Sequence, residues 1–207
     1  MYRPPAFATD DTAVLHEIVR SRAFATLACV VDGAIALAYA PVVLDAGEGP
    51  RGSVRFHLAG NNPLAAVPDG IPMTISFLGP DAYVSPDWYE TKGRVPTWNY
   101  VAVEGRGSVR RLSGNALRKL LVDLSAVEEH RLLPKPPWTI DKMPEEKLDA
   151  LMNAIAGFSM CLDTLEGKLK LSQNVPLEDA EGVMRGMVAR GDPLSRAVAK
   201  EMRKTRT

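Results

Sequence analysis

Apolar and polar residues alternate along the first third of the chain, which predicts β-strands. Residues 24–31 and 34–44 are two apolar, β-rich runs, and the Asp32-Gly33 pair between them is a strong hairpin signal. Residues 53–58 also alternate, with every second residue apolar. The pattern therefore begins with three antiparallel strands, the first two joined by a tight turn.

The strand pattern continues to residue 112. Residues 72–78 predict a strand that we expect to end at the turn-like sequence "GPDA", and residues 100–112 predict a long strand. Gly105 and Gly107 interrupt this long strand, which indicates a bulge or a close approach of another backbone.

The second half changes to apolar spacings of three and four residues, typical of amphipathic helices. Residues 158–174 interrupt this region with one late strand. The order of strands, helices, strand and helices predicts an α+β domain whose last strand rejoins the first sheet. The predicted helices start at Thr9 (with Asp10 and Asp11 in the first turn), after Ser113, at Pro144, at Pro176 and at Asp192.

Composition narrows the classes of function. The 207 residues hold 25 Lys+Arg and 25 Asp+Glu, so the chain lacks the overall positive field of a strong DNA binder. No stretch of eighteen apolar residues predicts a membrane span, and the first residues do not resemble a secretory signal, so we expect a cytoplasmic protein. Cys29 and Cys161 stand in apolar surroundings and are expected to be buried thiols. Without a CxxC or His/Cys cluster, no metal site is expected.

The segment "HLAGNNP", His57–Pro63, is the first candidate ligand site. Asn62 is a favoured N-cap and Pro63 a favoured first helical residue, so the strand is predicted to enter a helix directly. Free N–H groups at such a start attract phosphate, and the side chains of His57 and Asn61 would add donors. On this segment alone, a capped helix without a ligand is the simpler interpretation.

Two further segments mix features of a binding site. In a strand over residues 167–174, Lys168, Lys170 and Ser172 would share one face and could hold a phosphate, although a solvated edge strand explains the lysines equally. Residues 83–100, here called the aromatic segment, place two tryptophans and three tyrosines among polar residues. This mixture favours a planar ligand or a subunit interface over core packing alone.

These segments together resemble the PaiB-like family of FMN-binding negative transcriptional regulators. The resemblance lies in "MYRPPAF", "HLAGNNP", "AYVSPDWY", "VPTWNY" and "GFSMCLDTLEGKLKLSQN", in the same order over nearly the whole chain. It implies an α+β FMN-binding split β-barrel, antiparallel and Greek-key-like, with flanking helices. It also implies one split-barrel domain over residues 1–175, with a helical insertion over about 113–156, and a helical C-terminal extension over 176–207.

The resemblance further implies a homodimer with FMN in the interface. Trp98 and Asn99 would then face the flavin, and Trp88 and Tyr89 would pack at or near the dimer seam. No catalytic residue is identified. The cofactor-binding residues implied by the resemblance are Tyr39, His57, Leu58, Ala59, Asn61, Asn62, Trp98, Asn99, Lys170 and Gln173.

The chain departs from the family pattern at several polar positions. Tyr39 replaces a histidine, and Gly60 and Val175 each replace an arginine; Glu104 and Arg106 stand where a histidine and a tyrosine are common. The loss of an arginine is expected to weaken contacts with the FMN phosphate.

Three functions therefore stay open. The first is a PaiB-type regulator, whose basic tail (residues 196–206) could touch DNA, although a solvated basic end is the simpler interpretation. The second is an FMN-dependent oxidoreductase or flavin reductase. The third is a degenerate split barrel that binds another planar ligand, such as haem.

Overall fold

The computed structural model describes residues 1–206 and divides into two compact units. The first unit contains Met1–Asp11, Leu78–Val103 and the chain from Glu166 onward, and the second contains Thr12–Phe77 and Glu104–Leu165. This division does not test the domain boundary expected at residue 175, which stays a prediction.

Within residues 1–206 the strands are β1 (Ala8–Thr9), β2 (Phe24–Val31), β3 (Ala34–Asp45), β4 (Ser53–Ala59), β5 (Pro72–Val84), β6 (Thr97–Leu112), β7 (Ile155–Cys161) and β8 (Thr164–Lys170). They form one antiparallel sheet, in the order β1-β8-β6-β5-β2-β3-β4-β7. An additional pairing between β6 and β7 closes a circuit of six strands, which is the barrel. The predicted α+β split-barrel architecture is therefore confirmed.

In the described part of the chain, residues 1–206, five α-helices and four short 3₁₀ helices accompany the sheet. Within residues 1–206, no helix is both long enough and apolar enough to cross a bilayer. The α-helices are α1 (Thr12–Ser21), α2 (Gly114–His130), α3 (Glu145–Asn153), α4 (Leu177–Arg190) and α5 (Pro193–Lys204). The 3₁₀ helices are Pro5–Phe7, Pro63–Ala66, Pro86–Trp88 and Ile140–Lys142.

The predicted hairpin between β2 and β3 is confirmed. Asp32 and Gly33 have φ angles of 52° and 78°, which suit a tight two-residue turn, and Val31 pairs with Ala34 next to it. The alternation predicted for β4 is also confirmed, since Val54, Phe56 and Leu58 are buried. These side chains belong to the apolar core.

Three boundaries differ from prediction. The helix expected at Thr9 begins at Thr12, because Thr9 pairs with Gly167 in the sheet instead. The predicted turn "GPDA" lies within β5, where Gly79 faces Val101: a Cβ on residue 79 would lie 2.8 Å from that of Val101. The single late strand is two strands, β7 and β8.

Gly107 shows the close approach that was predicted for the interrupted long strand. A Cβ on residue 107 would lie 1.9 Å from the carbonyl oxygen of Cys161, so only glycine fits there. Of the two cysteines that were expected to be buried, Cys29 is buried as predicted, but Cys161 is exposed. Cys161 lies at the end of β7, where the strand leaves the barrel.

Candidate functional site

The outward side of the β2–β3 hairpin in the second unit is apolar and exposed. Its five large side chains, Phe24, Val30, Ile35, Leu37 and Tyr39, are each more than half exposed, and Ile35 is 76% exposed. We call these five residues the β2–β3 outer face. The register explains why they share one side, since Val30 pairs with Ile35 and the remaining β3 members follow at alternate positions. β2 pairs with both β3 and β5, so this surface is the face of a sheet and not its edge.

A cavity of about 430 Å³ borders this face. Val30 and Ile35 belong both to the outer face and to the cavity wall, and Ala28, which pairs with Leu37, also lines the cavity. The volume falls within the range of roughly 300–1,000 Å³ that is usual for small-molecule sites. The cavity is thus of ligand size and opens beside an apolar surface.

Polar groups line the other side of this cavity. Thr74 on β5 and Ser108 on β6 present hydroxyl groups, and Arg106 presents a guanidinium group that donates to Glu104 at 2.7 Å. Asp163 is the acid in the lining. The cavity can therefore offer apolar contact, hydroxyl groups and a guanidinium group whose charge is paired with Glu104.

Cys29 contributes a thiol to the same cavity. It is only 6% exposed, and burial raises the pKa of this thiol above its usual value. A raised pKa keeps the sulfur protonated at neutral pH, where it behaves as a small apolar group. Cys29 therefore extends the apolar part of the wall.

The segment after β4 is capped by Asn62 as predicted, but two of its backbone N–H groups already donate to Asn62. The side chain of Asn62 accepts from the N–H of Leu64 at 2.9 Å, and the N–H of Ala65 donates to the carbonyl of Asn62 at 2.8 Å. The helix is a single 3₁₀ turn, Pro63–Ala66. The prediction of free N–H groups for a phosphate is therefore wrong at Leu64 and Ala65, because the cap satisfies both.

His57 holds the one unpaired ring atom near this segment. Its Nδ1 is buried and has no hydrogen-bond partner within residues 1–206, and burial lowers the pKa of the ring. The imidazole is therefore neutral, but this nitrogen is buried, and a flavin contact from His57 stays a prediction. Leu58 faces the core and is buried, while Ala59 and Asn61 are exposed.

Gly60 is held against the backbone before β7. Its N–H donates to the carbonyl of Ala154 at 2.8 Å, and a Cβ on residue 60 would lie 2.9 Å from that oxygen. The arginine of the family pattern is therefore not simply missing, because this backbone leaves little room for any side chain at residue 60.

In the first unit, Lys170 and Trp98 form the other candidate group. The Lys170 ammonium donates to the Thr97 hydroxyl and, at 2.8 Å, to the Trp98 carbonyl. Burial, followed by repulsion from Lys168, lowers the pKa of Lys170. The Trp98 ring is 52% exposed and meets Tyr83 edge-on at 6.3 Å. A lysine thus binds the backbone of a residue whose aromatic side chain is half exposed.

Two predicted site residues of this unit are occupied by internal contacts. Asn99 was expected to face the flavin, but its side chain is buried and donates to the Ser172 hydroxyl at 2.9 Å. Gln173 donates to the carbonyl of Leu169 and accepts from the N–H of Leu171, so its amide holds the end of β8. Both residues shape the surroundings of Lys170, and a direct flavin contact from either stays a prediction.

The middle of the aromatic segment packs against helix α4 of the same chain. The Trp88 ring lies over Gly186, and Tyr89 lies under the guanidinium of Arg94 at 5.5 Å. Burial raises the pKa of Tyr89. Helix α4 therefore covers part of Trp88, and the packing of Trp88 and Tyr89 at or near a dimer seam stays a prediction.

Sequence reasoning missed the polar lining of the cavity. Thr74 and Ser108 were passed over because a single hydroxyl in a strand carries no motif. The available signal was alternation: Arg106 and Ser108 are two apart in β6 and therefore face the same side. No local pattern shows, however, that β5 and β6 bring these residues beside the hairpin.

Comparisons with known proteins agree with this architecture. The family model described as "Putative FMN-binding domain" matches residues 1–164. The "Protease synthase and sporulation protein PAI 2" of Bacillus subtilis is 28% identical, with 98% of this chain and 96% of the relative covered.

Two solved structures have similar folds. The "FAD and Heme binding protein" of Mycobacterium smegmatis superposes with a TM-score of 0.59 at 17% identity, covering 89% of this chain and 80% of that one. The "Flavocytochrome Anf3" of Azotobacter vinelandii has the same TM-score and identity, covering 88% and 77%. The chain therefore belongs to the PaiB-like family of FMN-binding split-barrel proteins, whose cofactor is FMN or a related flavin.

Proposed function

We propose that this protein binds FMN or a related flavin at the interface of a homodimer formed through the β2–β3 outer face. We further propose that it acts as a negative transcriptional regulator of the PaiB type. One observation carries the flavin site: the 430 Å³ cavity shares Val30 and Ile35 with the exposed apolar face. A second copy docked on that face would close the cavity from the open side.

The occupant proposed for the outer face is a second copy of the chain. Contiguous apolar patches of this kind are rare on monomers and mark interaction sites. In a dimer with a two-fold axis, the same surface of both copies meets, so each copy contributes its β2–β3 outer face to the contact. Leu37 and Tyr39 lie in the middle of this surface and would become buried.

The residues of the cavity fit a flavin by their chemistry. The isoalloxazine ring needs flat apolar contact, which Ala28 and Val30 provide, and the ribityl hydroxyls need partners such as Thr74 and Ser108. The Arg106 guanidinium would contact the phosphate in exchange for part of its contact with Glu104. When bound, the flavin supplies the redox chemistry, and the chain supplies binding, orientation and exclusion of water.

The test is a titration with FMN, read by absorbance and by mass in solution. Leu37→Asp places a charge in the proposed interface and is expected to give a monomer that has lost flavin affinity. Leu151→Asp is the matched control, because Leu151 is 47% exposed on α3, away from the outer face. If Leu37→Asp remains dimeric or binds flavin as the native chain does, the proposed interface is wrong. Haem titrated in parallel tests the other planar ligand.

The regulatory part of the proposal is supported by the resemblance and by the relative named for protease synthesis and sporulation. A mobility-shift assay at low salt, with fragments upstream of the protein's own gene, tests contact with DNA. Retardation that weakens as salt rises would support direct binding. No retardation at low salt would limit the protein to an indirect role.

A second candidate function is flavin-dependent oxidoreduction, in which the flavin ring would lie against the Lys170–Trp98 group and not in the 430 Å³ cavity. A lysine near the ring would stabilise negative charge on a reduced flavin, and the indole would stack on the ring. Trp98→Ala is expected to lower flavin affinity, and Lys170→Met to slow NADPH oxidation. If the flavin-loaded protein does not oxidise NADPH, this function is excluded for that donor.

A further inference from the structure

A second cavity of the second unit lies where α1 and α2 end beside β3, and its volume is about 530 Å³. Val42, Val43 and Leu44 of β3 form its floor, and Ala126 and Val127 of α2 form one wall. Val42 is buried, whereas Val127 is 43% exposed. The floor and wall thus offer a short apolar bed that opens to solvent.

The rim of this cavity is basic. Arg20, His130 and Arg131 line it, and no acidic side chain does. One guanidinium nitrogen of Arg131 donates to the carbonyl of Arg20 at 2.6 Å, and another reaches both oxygens of Glu128 at 3.0 Å. Arg131 therefore ties the two helix ends together, and its charge is balanced by Glu128.

Arg20 differs from Arg131 because its guanidinium group makes no hydrogen bond or ion pair with residues 1–206. Cations near the C-terminal ends of α1 and α2 suit the helix dipoles, which accounts for basic residues at these positions. The dipoles do not account for a ligand-sized apolar cavity beneath them.

We propose that this cavity binds a small amphipathic monocarboxylate, with its carboxylate on Arg20 and its hydrocarbon part on Val43, Leu44 and Val127. Charge complementarity selects this class, since the rim carries unbalanced positive charge and the floor carries no polar side chain. A dianion such as a free phosphate would leave the apolar bed uncovered. The site is separate from the flavin cavity and does not depend on the function proposed above.

The probe is hexanoate, and the neutral matched probe is hexanol. Methyl NMR spectra of the full-length, flavin-loaded protein follow the valine and leucine signals during each titration. We expect hexanoate to shift the signals of Val43, Leu44 and Val127 in a saturable way, with a Kd on the order of millimolar. Hexanol is expected to bind on the order of tenfold more weakly, because it cannot pair with Arg20.

Arg20→Gln removes the charge without entering the core, and it is expected to weaken hexanoate binding on the order of tenfold. Arg110→Gln is the matched control, because Arg110 is an exposed arginine that does not line this cavity. Equal binding of hexanoate by the native chain and Arg20→Gln would overturn the proposal, and so would the absence of saturable shifts at these methyl groups. A loss of shifts in Arg110→Gln as well would show a general charge effect and would also overturn it.

Discussion

The indole ring of Trp88 lies directly against the backbone of Gly186. A Cβ on residue 186 would lie 2.3 Å from the ring, and a Cβ on Gly182, one turn earlier, would lie 2.2 Å from the Trp88 carbonyl oxygen. Two glycines one turn apart thus form a flat strip on α4 that receives the aromatic segment. Glycine is unfavourable inside a helix, so this contact explains why both positions lack a side chain.

Gly186→Ala should be destabilising, because the added methyl group collides with the Trp88 ring. In a Trp88→Ala background the same substitution should stabilise by about 0.5–1 kcal/mol, since alanine is the better helix former. Urea unfolding of the four variants measures this change of sign. A stabilising effect in both backgrounds would show that the ring does not occupy this position.

Asp179, in the first turn of α4, binds the aromatic segment through Thr91 and Arg94. Burial by itself would raise the pKa of this carboxyl, but the N–H of Thr91 and the guanidinium of Arg94 more than compensate, and the net pKa is lowered. A lowered pKa in the folded state means that the ionised form stabilises the fold. That contribution is present above the unfolded-state pKa of about 3.9 and is lost as pH falls through the lower folded value.

Asp179→Asn should therefore lower the thermal midpoint by several degrees at neutral pH, and its difference from the native chain should shrink below about pH 4. Thermal unfolding at both pH values measures this. Glu90→Gln is the control: Glu90 pairs with Arg185 in an exposed ion pair, which contributes at most about 1 kcal/mol. A constant difference for Asp179→Asn at both pH values would contradict the assignment.

The sequence predicted elements whose cause is local. The β2–β3 hairpin follows from Asp32-Gly33, and the cap of the 3₁₀ turn from Asn62-Pro63, because both signals act within a few residues. Contacts that are distant in sequence were not predictable. The buried side chain of Asn99 donates to Ser172, which lies 73 residues later. Gly79 within β5 packs closely against Val101 of another strand.

The two parts of the candidate site differ in whether the sequence predicted them. Motifs identified Lys170 and Trp98, and the structure places them together. The flavin-sized cavity beside the outer face was missed, because no local pattern shows that Arg106 of β6 and Asp163 meet Val30 and Ile35 of the hairpin.

Arg106→Gln should weaken FMN binding by about tenfold and leave riboflavin binding unchanged, because only FMN carries the phosphate that we assign to this guanidinium. Fluorescence titration with the two flavins measures the difference. An equal loss for both ligands would mean that Arg106 supports the cavity wall and does not contact the phosphate.

Gly60→Arg should not restore the phosphate contact of the family pattern. Its Cβ would lie 2.9 Å from the Ala154 carbonyl oxygen, so we expect a loss of about 1–3 kcal/mol in stability and no gain in FMN affinity. Asn61→Arg is the control, because it adds the same charge at an exposed neighbouring position. Tighter FMN binding by Gly60→Arg, without loss of stability, would show that the backbone yields at this point.

The central claim is that flavin is bound in a homodimer closed by the β2–β3 outer face. Sedimentation velocity of the FMN-loaded protein, recorded both in the protein band and in the visible flavin band over a dilution series, tests it most directly. We predict that flavin absorbance sediments only with a species of twice the chain mass, and that dilution into monomers releases it. Flavin that sediments with a monomer would contradict the account.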